Sequence, residues 1–144
     1  MASSIYLAGT GRDSGKSAIA LGLLEQASRR LASIGVFRPL VSSLDASASN
    51  TLDLLLSRLL SPDTREDCIG VSYDQMHEDP DRAMSSIVER FHQLAARHPA
   101  ILVVGSDFTD LGSPTEFSVN ARIAANLGAP MLLVVSGVDH TPEQ

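Results

Sequence analysis

Short, almost wholly apolar runs alternate with longer segments of helical period along the entire 144-residue chain. "SIYLA" (4–8) reads as a buried strand and "KSAIALGLLEQASRRLAS" (16–33) as a helix, with Ile19, Leu23, Ala27 and Leu31 recurring at helical spacing. "IGVFRPL" (34–40) predicts a second strand stopped by Pro39, and "NTLDLLLSRLL" (50–60) a helix ended by Ser61-Pro62. A third strand follows at "CIGVSY" (68–73). The next helix has a sharp start, with Asp79 as N-cap, Pro80 in the first helical position and "DRAMSSIVERFHQLAARH" behind them. "AILVVG" (100–105) is the strongest strand signal. "SPTE" (113–116) has the form of a capping box that opens a helix ending at Leu127-Gly128, and "PMLLVVSG" (130–137) is a fifth strand.

Uniformly apolar strands separated by helices predict a parallel sheet covered on both faces, a three-layer α/β sandwich. A P-loop NTPase-like fold follows from the first strand–loop–helix unit, described next. The chain stops at "VDHTPEQ" just after the fifth strand, so the domain reads as truncated there and as part of something longer.

Composition narrows the function. The formal charge of −6 gives no basic surface for nucleic acid, and no apolar run reaches the length a membrane span needs. The single cysteine, Cys68, excludes an internal disulfide framework and fits a reducing cytoplasm. It reads as a buried thiol at a strand start rather than a nucleophile. His77, His92, His98 and His140 lack zinc-ligand spacing, and "YDQMHEDPD" (73–81) reads as a solvated loop leading into a helix. Ser42, Ser43 and Ser47 read as turn residues. Among eleven basic residues only one is lysine, and it is Lys16, inside the stretch "GTGRDSGKS".

That stretch joins the first strand to the first helix, where main-chain N–H groups and the helix dipole favour an anion. Gly9, Gly11 and Gly15 permit close backbone approach, with Thr10, Arg12, Asp13 and Ser14 between them. In the functional reading Lys16 contacts terminal phosphates and the Ser17 hydroxyl helps hold Mg²⁺, which makes ATP and Mg²⁺ the candidate ligands; in the alternative reading the glycine-rich stretch only turns the chain. Asp53, near the start of the second helix, and Asp107, beyond the central strand with Asp110, are the candidate metal carboxylates. Asp107 reads equally as a loop carboxylate that caps local N–H groups, and Asp53 reads more readily as a solvated helix residue than as a metal ligand.

The G-x5-G-K-[ST] spacing resembles dethiobiotin synthetase and the cobyrinic acid amidotransferases. That family normally has Lys-Pro at the end of the second strand, matched here by Arg38-Pro39, so the resemblance implies a ligand contact for Arg38. It also tends to place a glutamate at the end of a central strand, where this chain has Gly105. An ATP-dependent ligase would therefore need another acid. Three longer blocks, "GKSAIALGLLEQASRRLASIGVFRPL", "YDQMHEDPDRA" and "GSDFTDLGSPTEFSVNARIAANLGAPMLLVV", resemble the amino-terminal domain of long-form phosphate acetyltransferases, particularly actinobacterial ones. In that family a dethiobiotin-synthetase-like domain precedes a middle domain and a catalytic domain that interconverts acetyl-CoA plus phosphate with acetyl phosphate plus CoA. The resemblance implies a regulatory or structural role for residues 1–144, partnered by the enzyme's own downstream domain in a homo-oligomer. It places no acetyl-transfer residue in this segment.

Overall fold

The computed structural model describes residues 2–9, 15–41, 50–59, 62–106 and 113–135. The elements run β1 (Ser3–Gly9), α1 (Lys16–Ser28), β2 (Gly35–Val41), α2 (Asn50–Leu59), a 3-10 turn (Glu66–Cys68), β3 (Ile69–Ser72), α3 (Tyr73–Glu78), α4 (Pro80–Ala95), β4 (Ala100–Val104), α5 (Ser113–Leu127) and β5 (Met131–Val134). The five strands form one sheet in the order β3-β2-β4-β1-β5, with every pair parallel. Helices α1 and α2 touch one another on one face, and α4 and α5 touch on the other, as right-handed crossovers in this order require. The expected three-layer α/β architecture is therefore the observed one.

Burial on both faces explains the apolar runs. Every residue of β2 is buried, as are Ile101–Val104 of β4. Helix α4 lays Ala83, Ile87, Phe91 and Leu94 on this sheet, with the Phe91 ring edge-on to Phe37 at 5.9 Å. Its start is as expected: the Asp79 side chain accepts from the Arg82 N–H at 3.2 Å with Pro80 in the first turn. Gly128 closes α5 at φ +66°, the left-handed conformation that ends helices.

Several details differ from the sequence reading. Helix α1 ends at Ser28, and it buries Lys16, Ala20 and Leu24 while Ile19 stays 44% exposed. With apolar residues at almost every position of "AIALGLL", the helical period alone does not select a face. Strand β2 passes through Pro39 instead of stopping there. Its ladder with β4 ends at Phe37–Val103, so the missing N–H breaks no bond on that side, while Arg38, Leu40 and Val41 pair with β3. Glycine is required opposite: a Cβ on Gly70 would stand 2.3 Å from the Pro39 carbonyl oxygen. Residues 73–78, read as loop, form α3. Ser72 and Gln75 make a reciprocal capping box, a signal present in the sequence as S-x-x-Q. Strand β5 ends at Val134, and Leu132, Leu133 and Val135 remain substantially exposed.

At the amino-terminal end of the sheet, three connections are tied by one buried pair. His98 Nε2 meets Asp63 Oδ2 at 2.6 Å, the Ser33 hydroxyl meets His98 Nδ1 at 2.9 Å, and Arg97 approaches Asp63 Oδ1 at 3.4 Å. Gly35 lies against this histidine, its missing Cβ only 2.9 Å from the ring. A shallow apolar cavity of about 210 Å³ opens nearby, lined by Ile5, Leu23, Leu31, Ile34 and Ile101.

Candidate anion site at the carboxyl ends of the strands

Strands β1 and β4 are neighbours, but α1 leaves β1 over one face and α5 leaves β4 over the other. Such a switch point opens a crevice at the strands' carboxyl ends, where open α/β sheets place ligands. Gly9 ends β1, and Gly15 takes the N-cap of α1 at φ +86°, ψ +14°. A Cβ there would meet nothing within 4 Å, so the left-handed backbone, not space, calls for glycine. No acidic residue stands in the first turn of α1, at the positive end of the helix dipole.

Lys16 turns inward. It is 5% exposed, and its ammonium donates to the Gly105 carbonyl at 2.5 Å and the Ser106 carbonyl at 2.8 Å. Arg38, near the end of β2 and equally buried, donates from Nη2 to the same Gly105 oxygen at 3.3 Å. Two cations, one from the start of α1 and one from β2, thus converge on the residues just after β4. Gly105 admits no side chain here: a Cβ would lie 2.8 Å from Asn120 Oδ1 and 3.0 Å from both Leu7 O and Tyr6 Cε1. The position that carries a glutamate in the resembled ligases is therefore sterically closed in this chain.

Beneath these cations lies a buried polar network anchored on α5. Asn120 Oδ1 accepts from Tyr6 OH at 2.5 Å and from the Ser106 N–H at 3.2 Å. Its Nδ2 donates to Ser106 Oγ at 2.8 Å and to the Glu116 carbonyl at 2.9 Å, so the amide is fully satisfied. Burial holds the Tyr6 phenol well above its usual titration range; Arg38 pulls it back, and Tyr73 and Glu116 push it further. Glu116 itself is wholly buried. Its Oε1 accepts from Tyr73 OH at 2.6 Å, while Oε2 has no hydrogen-bond partner among the described residues. Expected to reach back as the acid of a capping box, Glu116 instead points into the interior toward α3.

The remaining expectations divide. Ser17 follows Lys16 on the exposed side of α1, and Asp53 sits at the surface of α2 with Arg65 at 3.9 Å. Thr10, Gly11, Arg12, Asp13 and Ser14, together with Asp107, Asp110, Ser42, Ser43, Ser47 and His140, lie outside the described residues. Among the described residues, no three His, Cys, Asp or Glu side chains are grouped to hold a metal. Cys68 is buried as expected, in the 3-10 turn just before β3; burial, then Asp63 and Asp67, pushes its thiol up to about 12. No described helix is long and apolar enough to cross a membrane. Tyr6, Tyr73, Glu116 and Asn120 were not singled out from sequence as site residues. Only their convergence in three dimensions marks them.

Fold and crevice together define a P-loop-type α/β domain. A family model described as an AAA domain matches residues 3–144, and the chain belongs to that family. Two curated relatives carry the name phosphate acetyltransferase. That of Nitratidesulfovibrio vulgaris strain Hildenborough is 27% identical over 143 residues, covering 95% of this chain and 20% of the relative. That of Synechocystis sp. strain PCC 6803 is 30% identical over 147 residues, covering 98% of this chain and 21% of the relative. The chain spans about a fifth of the length of these relatives.

Proposed function

We propose that this chain is the amino-terminal domain of a long-form phosphate acetyltransferase, where it controls or assembles the enzyme while acetyl transfer takes place in a downstream domain. The observation that carries the reading is the alignment of nearly all of this chain with a fifth of two proteins of that name. Acetyl-CoA and phosphate would be substrates of the whole enzyme, its own catalytic domain the partner, a homo-oligomer in the cytoplasm the setting. The actinobacterial character of the three matching blocks belongs to the same proposal.

Control would act through the glycine loop, Gly9 to Ser17, with ATP or another anion as the effector. Lys16 is already in place at the crevice, but an anion must draw its ammonium from the carbonyls of Gly105 and Ser106. That exchange couples loop occupancy to the β4–α5 connection. It alters the enzyme only if the effector binds two states of the whole protein with different affinity. Magnesium, which would offset phosphate charge, fits a donor set of the Ser17 hydroxyl and one carboxylate, with Asp107 or Asp53 as the candidates. The closed Gly105 position speaks against the alternative ligase, and Arg38 would then serve the anion instead of a ligase substrate.

Isothermal titration of ATP with Mg²⁺ against the wild-type and Lys16→Ala proteins tests the control role. Wild type should bind, and the variant should be weaker by at least about tenfold, the loss of one charge-assisted contact. Equal heats, or none, would leave a scaffold.

A further inference from the structure

The sheet has two edges, and the chain treats them differently. At one edge β3 is four residues long, Ile69, Val71 and Ser72 are buried, and Glu66, Asp67 and Asp74 flank it. At the other, β5 pairs with β1 alone among the described strands, and Leu132, Leu133 and Val135 are 39%, 46% and 62% exposed. No charged side chain stands between Arg122 and Asp139, so no charge guards this edge. The register gives each leucine its face. Tyr6 pairs with Met131, Leu7 with Leu132 and Ala8 with Leu133, and partners in a parallel ladder share a face. The Tyr6 hydroxyl reaches Asn120 of α5, so Met131 and Leu133 lie on the α5 face and Leu132 on the α1 face.

We infer that the outer margin of β5 is an interface for a helix–strand unit from the later polypeptide of the same enzyme, a sixth strand parallel to β5 whose crossover helix packs over Leu133 beside α5. This interface presupposes the reading of the chain as one domain of a longer protein. The chain spans about a fifth of its curated relatives, so in such an enzyme most of the polypeptide lies outside residues 1–144. Covalent linkage gives that polypeptide a high effective concentration at β5, which favours it over a separate partner. The sheet sets the geometry. β1 fills the inner side of β5, so a parallel neighbour adds only on the outside, after a crossover of roughly a dozen residues or more. The step from β4 to β5 runs in the same outward direction through α5, and right-handed crossovers that continue one way keep their helices on one face. The added strand is therefore apolar on both sides, as its neighbours are, and the added helix brings an apolar stripe to Leu133.

Photo-cross-linking of the full-length enzyme decides it, with a benzophenone amino acid in place of Leu133 and the products mapped by mass spectrometry. Cross-links should join position 133 to peptides beyond residue 144, at monomer mobility on a denaturing gel. In the same enzyme Leu133→Cys should react with a maleimide at least about tenfold more slowly than Ile19→Cys, each read by peptide mapping. The two positions are 46% and 44% exposed here, and the native Cys68 is buried. Should Leu133→Cys not fold, Val135→Cys on the same face takes its place. Cross-links at dimer mobility alone would overturn the inference and give the margin to a second copy. No cross-link beyond residue 144, or equal labelling at the two cysteines, would overturn it as well. An enzyme that makes no acetyl phosphate from acetyl-CoA and phosphate would remove the proposed function, while the cross-link map still decides the interface.

Discussion

The two ends of the sheet bury the same kinds of residue to opposite effect. At the amino-terminal end, His98, Asp63, Ser33 and Arg97 close a set of contacts in which both ring nitrogens and both carboxylate oxygens have a partner. The set joins the α1–β2 turn, the segment after α2 and the turn between α4 and β4. At the carboxyl end, Asn120 is equally complete, yet Glu116 leaves one oxygen unanswered and Lys16 is bound to main-chain carbonyls. A satisfied buried pair fastens a fold, whereas a buried carboxylate oxygen without a hydrogen-bond partner is a cost that the rest of the fold carries.

Breaking the fastener should cost most. His98→Ala removes the buried partner of Asp63 Oδ2 and should lower unfolding free energy in urea by about 3 kcal/mol, with anion affinity unchanged. If anion binding were lost in the folded variant, the two ends would not be independent. Gly105→Ala forces a methyl group against Leu7, Asn120 and Tyr6, and should cost about 1–3 kcal/mol while weakening anion binding.

Alkaline unfolding supplies a third contrast. The folded Cys68 thiol is pushed up to about 12 from an ordinary 9.0. Between those values the native state holds a proton that the unfolded chain has released. Its contribution is therefore complete below the ordinary value and is lost as pH rises toward the folded one. Cys68→Ala should flatten that alkaline decline in a pH series of urea melts. Smallest is Glu116→Gln, which keeps an oxygen to accept from Tyr73 and puts an amide where Oε2 lacks a hydrogen-bond partner. Thermal melting should show a stability equal to wild type or up to about 1 kcal/mol higher, the reverse of His98→Ala. A large loss there would make Glu116 a fastener as well.

Much of this fold was legible because its strands are buried on both faces and announce themselves as apolar runs, as "AILVVG" does for β4. Element starts written in local chemistry, such as Asp79-Pro80, were equally plain. Where the code is redundant, it failed. Helix α1 offers apolar residues on every side, so only the sheet's position decides that Leu24 and not Ile19 is covered. Pro39 reads as a stop until the neighbouring ladder is known to end two residues earlier. Lys16 and Arg38 could be found from spacing and resemblance because both flank recognisable motifs. Glu116 could not: its local pattern fits a helix cap, and the Tyr73 that turns it inward is 43 positions away.

The last strand has a practical consequence. Leu132 and Leu133 project to opposite sides of β5 and both meet water, and the outer margin of β5 pairs with no described strand. A lone polypeptide with such a seam is adhesive toward its own copies, through side chains and through backbone. Purified alone, it should stay dispersed only when dilute, and light scattering should climb steeply with concentration until something lies along that margin.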